Sequence, residues 1–322
     1  TYEPLEVILS DDCSTDDTFA SLREAASAYR GPHRVILNRN ERNLGTGVHI
    51  SRLMEMASGE FVVTGSGDDV AYPERVETVW SAWRADPRIF YVYTNFDRTY
   101  EGSELRKPFE PQTFYDDLWN MVPACGPKVI GCSAAWHRSC FDVFGPLPEG
   151  SMCEDRLIPF RAALLGRIAY VDTPTLHFRR HADSVSATIV PSRRSSFEDR
   201  RRVVRRRYDT RFEALDSFRE DVVTAVEKDL IPPTSAKRLA ALIERTRAHE
   251  MDKCQAETGA WTVRLTASLR ILVSRSTPVP VARRRRLRYV LHAVFPFLER
   301  WSYARELRHT LARPIEPDEV PW

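Results

Sequence analysis

The sequence predicts an α/β fold over residues 1–190, a mostly parallel sheet flanked by helices, followed by a mainly helical region over residues 191–322. Three observations predict it. Two strand–turn–helix units follow one another between Leu5 and the helix after Gly47. Paired aspartates, Asp11-Asp12 and Asp68-Asp69, end two of the strands. After Pro191 the glycines nearly vanish and arginine-rich patterns with helical spacing take over. A sheet built from such units receives its ligands at the C-terminal ends of its strands, where both aspartate pairs lie.

The elements follow in order. Leu5-Glu6-Val7-Ile8-Leu9-Ser10 reads as a buried strand, and the polar run Asp11 to Thr18 ends it and caps a helix. That helix runs from about Thr18 to Tyr29 with Phe19, Leu22 and Ala26 on one face. Arg34-Val35-Ile36-Leu37 is the next strand. Asn43-Leu44-Gly45-Thr46-Gly47 turns into a helix with Ile50, Leu53, Met54 and Ala57 on its apolar side. Glu60-Phe61-Val62-Val63-Thr64 is a strand that stops at Gly65-Ser66-Gly67-Asp68-Asp69, with Pro73 leading into another helix. Ile168-Ala169-Tyr170-Val171 is strand-like. Beyond Arg193, apolar residues from Phe197 to Val226 mark one or two amphipathic helices, stopped by Pro232-Pro233, and a further helix carries Leu239, Leu242 and Ile243.

Composition bounds the function. A chain of 322 residues, 43% hydrophobic and 29% charged, can bury a sizeable core. A net charge of +2 gives no reason to expect nucleic acid as a partner. No apolar run is long enough to span a bilayer, no secretory leader pattern stands out, and the six cysteines form no CxxC pair or ligand-like spacing. The expected location is cytoplasmic, with free thiols.

Four segments carry chemistry. Asp68-Asp69 follows an apolar strand and nearby glycines, and hard oxygen ligands on a rigid edge suit a divalent ion bridging two phosphates. The plainer reading is a solvated acidic turn that caps a helix, and it applies equally to Asp11-Asp12. Two such pairs in one cleft would need a cation or a hydrogen-bonded ligand to offset their repulsion. Glu154-Asp155 opens a helical run, as partners of the helix dipole or as a general base. Arg179-Arg180-His181 can grip phosphate or complete a metal shell, although each histidine alone is more often a surface or packing residue.

In order and spacing these segments resemble the inverting glycosyltransferases of family 2, which have the GT-A fold, a Rossmann-like α/β sheet. The stretches that carry the resemblance are Glu6 to Asp16, Asn43-Leu44-Gly45, Ala57-Ser58-Gly59-Glu60, Gly67-Asp68-Asp69 with Pro73, Glu154-Asp155 and Arg179-Arg180-His181. The resemblance covers roughly residues 1–190 and implies a metal-dependent, hexosyltransferase-like enzyme using a nucleotide-diphosphate sugar. It implies that Asp12 contacts the nucleotide base, that Asp68 lies by the donor ribose and phosphates, and that Asp69 coordinates Mg²⁺ or Mn²⁺. His181 would lie beside the ion or diphosphate, and Asp155 would be the catalytic base. Glu6, Asp11, Glu154 and Arg180 complete the expected donor site. Relatives often build bacterial surface polysaccharide or other glycoconjugates, so a carbohydrate or lipid-linked acceptor is expected. A nucleotidyltransferase of similar fold and a non-catalytic nucleotide-sugar or carbohydrate-binding scaffold are the alternatives.

This sequence departs from the family at three places. Ser66 stands where many members carry aspartate, and Cys13 where glycine is usual. The family's opening strand and helix have no counterpart before Glu6, which implies that the natural protein has further residues there.

Two expectations concern partners. Among the aromatic residues between Phe90 and Trp136, Trp119 and Trp136 are expected to line the acceptor side, with core packing the competing explanation. The segment 283–311 puts five arginines in Arg283 to Arg288 ahead of Tyr289, Leu291, Phe295 and Trp301. It is expected to bring the protein to an anionic membrane surface, the cytoplasmic face of an inner membrane, unless it packs on the protein as a terminal helix. The helical region is also a candidate surface for homo-oligomer formation.

Overall fold

In a computed structural model, residues 2–100, 107–108, 117–126, 131–180, 197–273 and 283–294 are described. The chain opens with strand β1 (Glu6–Asp11), helix α1 (Thr18–Ala28) and strand β2 (Arg34–Arg39). The two strands pair in parallel, Val7 opposite Val35 and Leu9 opposite Leu37, as a strand–helix–strand crossover requires. Helix α2 (Thr46–Met56) buries Gly47, Ser51 and Met54, four and then three residues apart, which is one helical face.

Then come β3 (Phe61–Val63), β4 (Val70–Ala71), α3 (Arg75–Arg84) and the long β5 (Ile89–Tyr100). They are followed by β6 (Lys107–Pro108), α4 (Leu118–Ala124), a 3-10 turn (Gly131–Ser133), β7 (Ala134–His137), α5 (Ser139–Asp142), α6 (Glu154–Leu165) and β8 (Arg167–Arg180). The larger sheet has the order β3-β7-β5-β8-β4, with β6 against β5.

The α/β class and the helical extension are as the sequence predicts, and the sheet is mixed. β5 runs parallel to β8, while β7 lies antiparallel to both β3 and β5. The reason lies in the connections. β7 enters the sheet with Ala134 opposite Tyr93 and runs back toward the start of β5, Trp136 opposite Tyr91, which makes it an antiparallel neighbour. Helix α6 then crosses back: Gly166 at its end lies against the Arg88 carbonyl, beside the start of β5, and Arg167 donates its amide there at 2.7 Å. The N-terminus of α6 is therefore left further along β5, on the side toward which β3 also runs.

Helices α7 (Phe197–Glu227), α8 (Pro233–Thr258), α9 (Trp261–Val273) and α10 (Arg283–Val294) form the extension. Its first two helices share the main core: Leu215, Phe218, Val222, Leu239 and Ile243 cluster with Tyr91, Trp136, Leu157 and Phe160. Phe160 and Phe218 stack with centroids 3.9 Å apart. The division expected near residues 185–195 falls outside the described residues, and the core on its two sides is continuous.

Candidate functional site

Asp12 follows directly on β1, and its carboxylate organises the loop that starts α2. Oδ1 accepts from Asn40 Nδ2 at 2.8 Å and from the Leu44 amide at 2.9 Å, and Oδ2 accepts from the Gly45 amide at 2.9 Å. His49 Nδ1 lies 3.3 Å away. Burial works against the charge, but the hydrogen bonds from Asn40, Leu44 and His49 outweigh it and hold Asp12 below the usual aspartate range. Gly45 meets the carboxylate with φ +76°, a conformation that side chains disfavour. Gly47 lies so close to Ser151 that a Cβ would come within 2.9 Å of its backbone oxygen, and it donates its amide to that oxygen at 3.1 Å. The Asn-Leu-Gly loop is thereby fastened to Asp12 on one side and to the approach of α6 on the other.

Asp11 is buried and accepts from the Ser14 amide at 3.2 Å, with Arg39 Nε 3.2 Å away. Cys13 takes φ +61°, which explains why glycine is usual at this position. Glu6 is not part of this group. It sits at the opposite end of β1, accepts from the Ser58 amide and hydroxyl at 2.7 and 2.9 Å and pairs with Arg34 at 3.1 Å. Its place is to fasten the turn after α2 to the sheet.

Asp69 lies beyond the end of β3. Oδ1 accepts the Arg179 amide at 3.0 Å, while Oδ2 is buried with no hydrogen-bond partner. Burial is the largest influence on its carboxyl and raises it above the usual range, over the opposing bond from Arg179. Asp68 contributes its backbone carbonyl to the Arg179 guanidinium. Cys132, in the 3-10 turn, lies beside Asp69; burial first and then this carboxylate push its thiol up.

Sequence reasoning missed Arg75. It is 3% exposed and donates from Nη2 to the carbonyls of Thr64 at 2.8 Å and Cys132 at 2.5 Å, joining the end of β3 to the start of β7. Its Nη1 is buried without a partner, and the positive charge lies close enough to Asp69 to interact with it. The available signal was an arginine four residues before Val79, on the buried face of α3.

Glu154 and Asp155 occupy the first turn of α6. Burial raises Glu154, and the neighbouring Asp155 charge raises it further, to about 7. Burial also raises Asp155, against the opposing charge of Arg156. Gly131, one residue before Cys132, faces Glu154: a Cβ on it would stand 3.5 Å from Glu154 Oε1. The 3-10 turn therefore touches the Asp69 surroundings with one residue and the Glu154 side chain with another. Together with Ser151, it brings the loop held by Asp12, the Asp68-Asp69 turn and the start of α6 into one neighbourhood.

Other expected residues lie elsewhere. Trp136 does not line an acceptor cleft: it is 2% exposed, stacks on Tyr91 and donates its indole N–H to Met54 Sδ at 3.4 Å. Its place on an inner strand decides this. Trp119 is exposed on α4, in a depression of about 600 Å³ with Arg238, Leu242 and Arg245, and the Arg238 guanidinium lies 4.8 Å from its ring. Arg180 ends β8, with nothing described of its side chain, and His181 lies outside the described residues. Among the described residues, no group of three or more His, Cys, Asp or Glu side chains converges on a metal position. An ion bound together with substrate phosphates needs only one or two protein carboxylates, and the buried, unpartnered Oδ2 of Asp69 fits that demand.

Residues 1–144 match the family described as Glycosyl transferase family 2. That match takes in 144 of the 322 residues, and over this stretch the chain is similar to family 2 glycosyltransferases. The match takes in both aspartate pairs and Arg75 and ends before Glu154, so Glu154 and Asp155 stand on residue pattern and geometry, and Arg180 and His181 on residue pattern alone. Among similar proteins, Mycobacterium bovis Mb1547 is 25% identical over 201 residues, 62% of this chain and 57% of that protein. The chain thus spans little more than half of that relative. A putative glycosyltransferase of Bacillus subtilis, EpsE, is 30% identical over 77 residues, 24% of this chain and 27% of that one. Among solved structures, Staphylococcus aureus TarS 1–349 aligns with a TM-score of 0.48 at 15% identity, covering 89% of this chain and 79% of that one.

Proposed function

We propose that this chain transfers a sugar from a nucleotide-diphosphate donor to an acceptor hydroxyl with inversion at the anomeric carbon, in the synthesis of a bacterial surface polysaccharide or glycoconjugate. The observation that supports it best is the 3-10 turn that joins two carboxylate groups in a family 2-like chain. On one side lies Asp69 with an unpartnered buried oxygen, and on the other lie Glu154 and Asp155 at a helix start.

Asp69 would hold Mg²⁺ or Mn²⁺, with Asp68 and His181 beside it; when bound, the ion offsets negative charge on the departing diphosphate. Arg179 keeps the Asp69 carboxylate in place through its backbone amide. Asp12 orders the loop at the start of α2, leaving the donor base a preformed edge to meet. Asp155 would accept the proton of the acceptor hydroxyl as that oxygen bonds to the anomeric carbon and the bond to the diphosphate oxygen breaks. Burial weakens Asp155 as an acid, which strengthens it as a base, while the Arg156 charge and the helix N-terminus favour its carboxylate form.

The test is a panel of UDP-, GDP-, dTDP- and CMP-sugars incubated with the protein, with Mn²⁺, Mg²⁺ or a chelator present. The expected result is slow, metal-dependent hydrolysis of one donor class. Binding without turnover of any donor would favour the non-catalytic scaffold instead.

A further inference from the structure

Helix α10 presents apolar residues away from the protein. Its inward side is occupied: Ala293 is buried, the Tyr289 hydroxyl donates to Glu257 Oε1 at 2.9 Å, and the Tyr289 carbonyl accepts from Ser268 Oγ at 3.2 Å. On another side Leu287, Leu291 and Val294 stand four and then three residues apart, a single stripe on a helix. The neighbouring α9 adds Leu269 and Val273, again four apart, and all five are between 41% and 72% exposed. Scattered exposed apolar residues are ordinary, but repeats in helical register on two packed helices are a surface feature.

The charge on these helices has one sign. α9 contributes Arg264 and Arg270 and α10 contributes Arg283, Arg284, Arg285, Arg286 and Arg288, and neither helix contains an aspartate or glutamate. Within the protein Arg264 is used on the Ala256 carbonyl and Arg270 on Asp252, at 3.1 and 2.7 Å. The run that opens α10 is adjacent to the stripe in sequence.

We propose that α9 and α10 form a docking face for an anionic lipid bilayer, with the stripe of α10 entering the headgroup region and its arginines meeting the negative charge. An anionic bilayer supplies both an apolar layer and the compensating charge. A second copy of this chain, meeting the same face across a two-fold axis, would set arginine runs against each other. No described helix is long and apolar enough to cross a membrane, so the contact is with the surface.

The experiment is flotation of the full chain with vesicles of neutral phosphatidylcholine and with vesicles containing phosphatidylglycerol, at low and high salt. Two variants are run beside it: Leu287→Glu with Leu291→Glu, and Arg283, Arg284, Arg285 and Arg286 all changed to Gln. Thermal melts of both variants check that they remain folded. The native chain is expected to float with anionic vesicles and to release in salt, with each arginine contributing about fivefold in partitioning. Each variant is expected to bind at least about tenfold more weakly. Partitioning that ignores lipid charge, or variants that float like the native chain, would overturn the proposal. So would a native dimer that both variants dissociate while vesicle binding stays unchanged.

Discussion

Glu154 and Asp155 share the first turn of α6, and the elevation of Glu154 to about 7 has a sign that can be measured. Its ordinary value is 4.5, so through the window between these values the folded protein keeps a proton that the unfolded chain releases. Stability from this group is full below about pH 4.5 and is lost as pH rises through about 7. Glu154→Gln should flatten that fall, leaving the variant roughly 1–2 kcal/mol more stable than the native chain near pH 8. Urea titrations near pH 5 and near pH 8 measure it, and an unchanged pH slope would count against the burial of this carboxyl. Asp68, Asp69 and Asp155 were legible in the sequence because acidic residues after an apolar strand or before a helical run are unusual enough to notice. Arg75 was not, because one arginine among helical residues gives no sign that its guanidinium turns inward to three carbonyls. Trp136 was misplaced for the converse reason: an indole suits a sugar or a core equally, and only its strand's position decides.

At the scale of elements, α6 is held from both ends. Its N-terminus carries the two candidate carboxylates, and further along Arg161 is buried against Asp221 of α7, Nε to Oδ2 at 3.1 Å. Arg161 also donates to the Gly145 carbonyl at 2.7 Å and the Cys140 carbonyl at 3.3 Å. Burial pushes Asp221 up to about 6 despite the arginine, the mark of a pair whose desolvation is heavy. Removing one partner therefore has unequal effects. Arg161→Met strands a buried carboxylate and the Cys140 and Gly145 carbonyls and should cost about 3–5 kcal/mol in chemical denaturation. Asp221→Asn keeps the shape and should cost clearly less. Equal losses would contradict this account. The early elements were legible almost to the residue: a helix expected from Thr18 to Tyr29 is α1, Thr18–Ala28. The strands β5 and β7 were not, because β5 finds its main partner in β8, far along the chain, and its aromatic sequence gives no alternation that specifies that register.

For the whole molecule, the helical extension and the sheet are one folding problem. Leu157 and Phe160 of α6 are covered by Leu215 and Phe218 of α7, so a fragment of residues 1–190 would expose them. That fragment should aggregate or melt without a cooperative transition, by calorimetry and size-exclusion chromatography, while the full chain gives a single transition. A monomeric, cooperatively melting fragment would show that the shared core is dispensable. The composition shift near Pro191 was legible; the packing of α7 and α8 into the same core was not, because sequence shows that a helix has an apolar face but not what covers it. The most direct test of the central claim is Asp155→Asn, assayed for transfer and, separately, for binding of the donor that the native chain turns over. The account predicts donor affinity within about threefold of native and transfer reduced by about a thousandfold or more. Near-native transfer by the variant would contradict it.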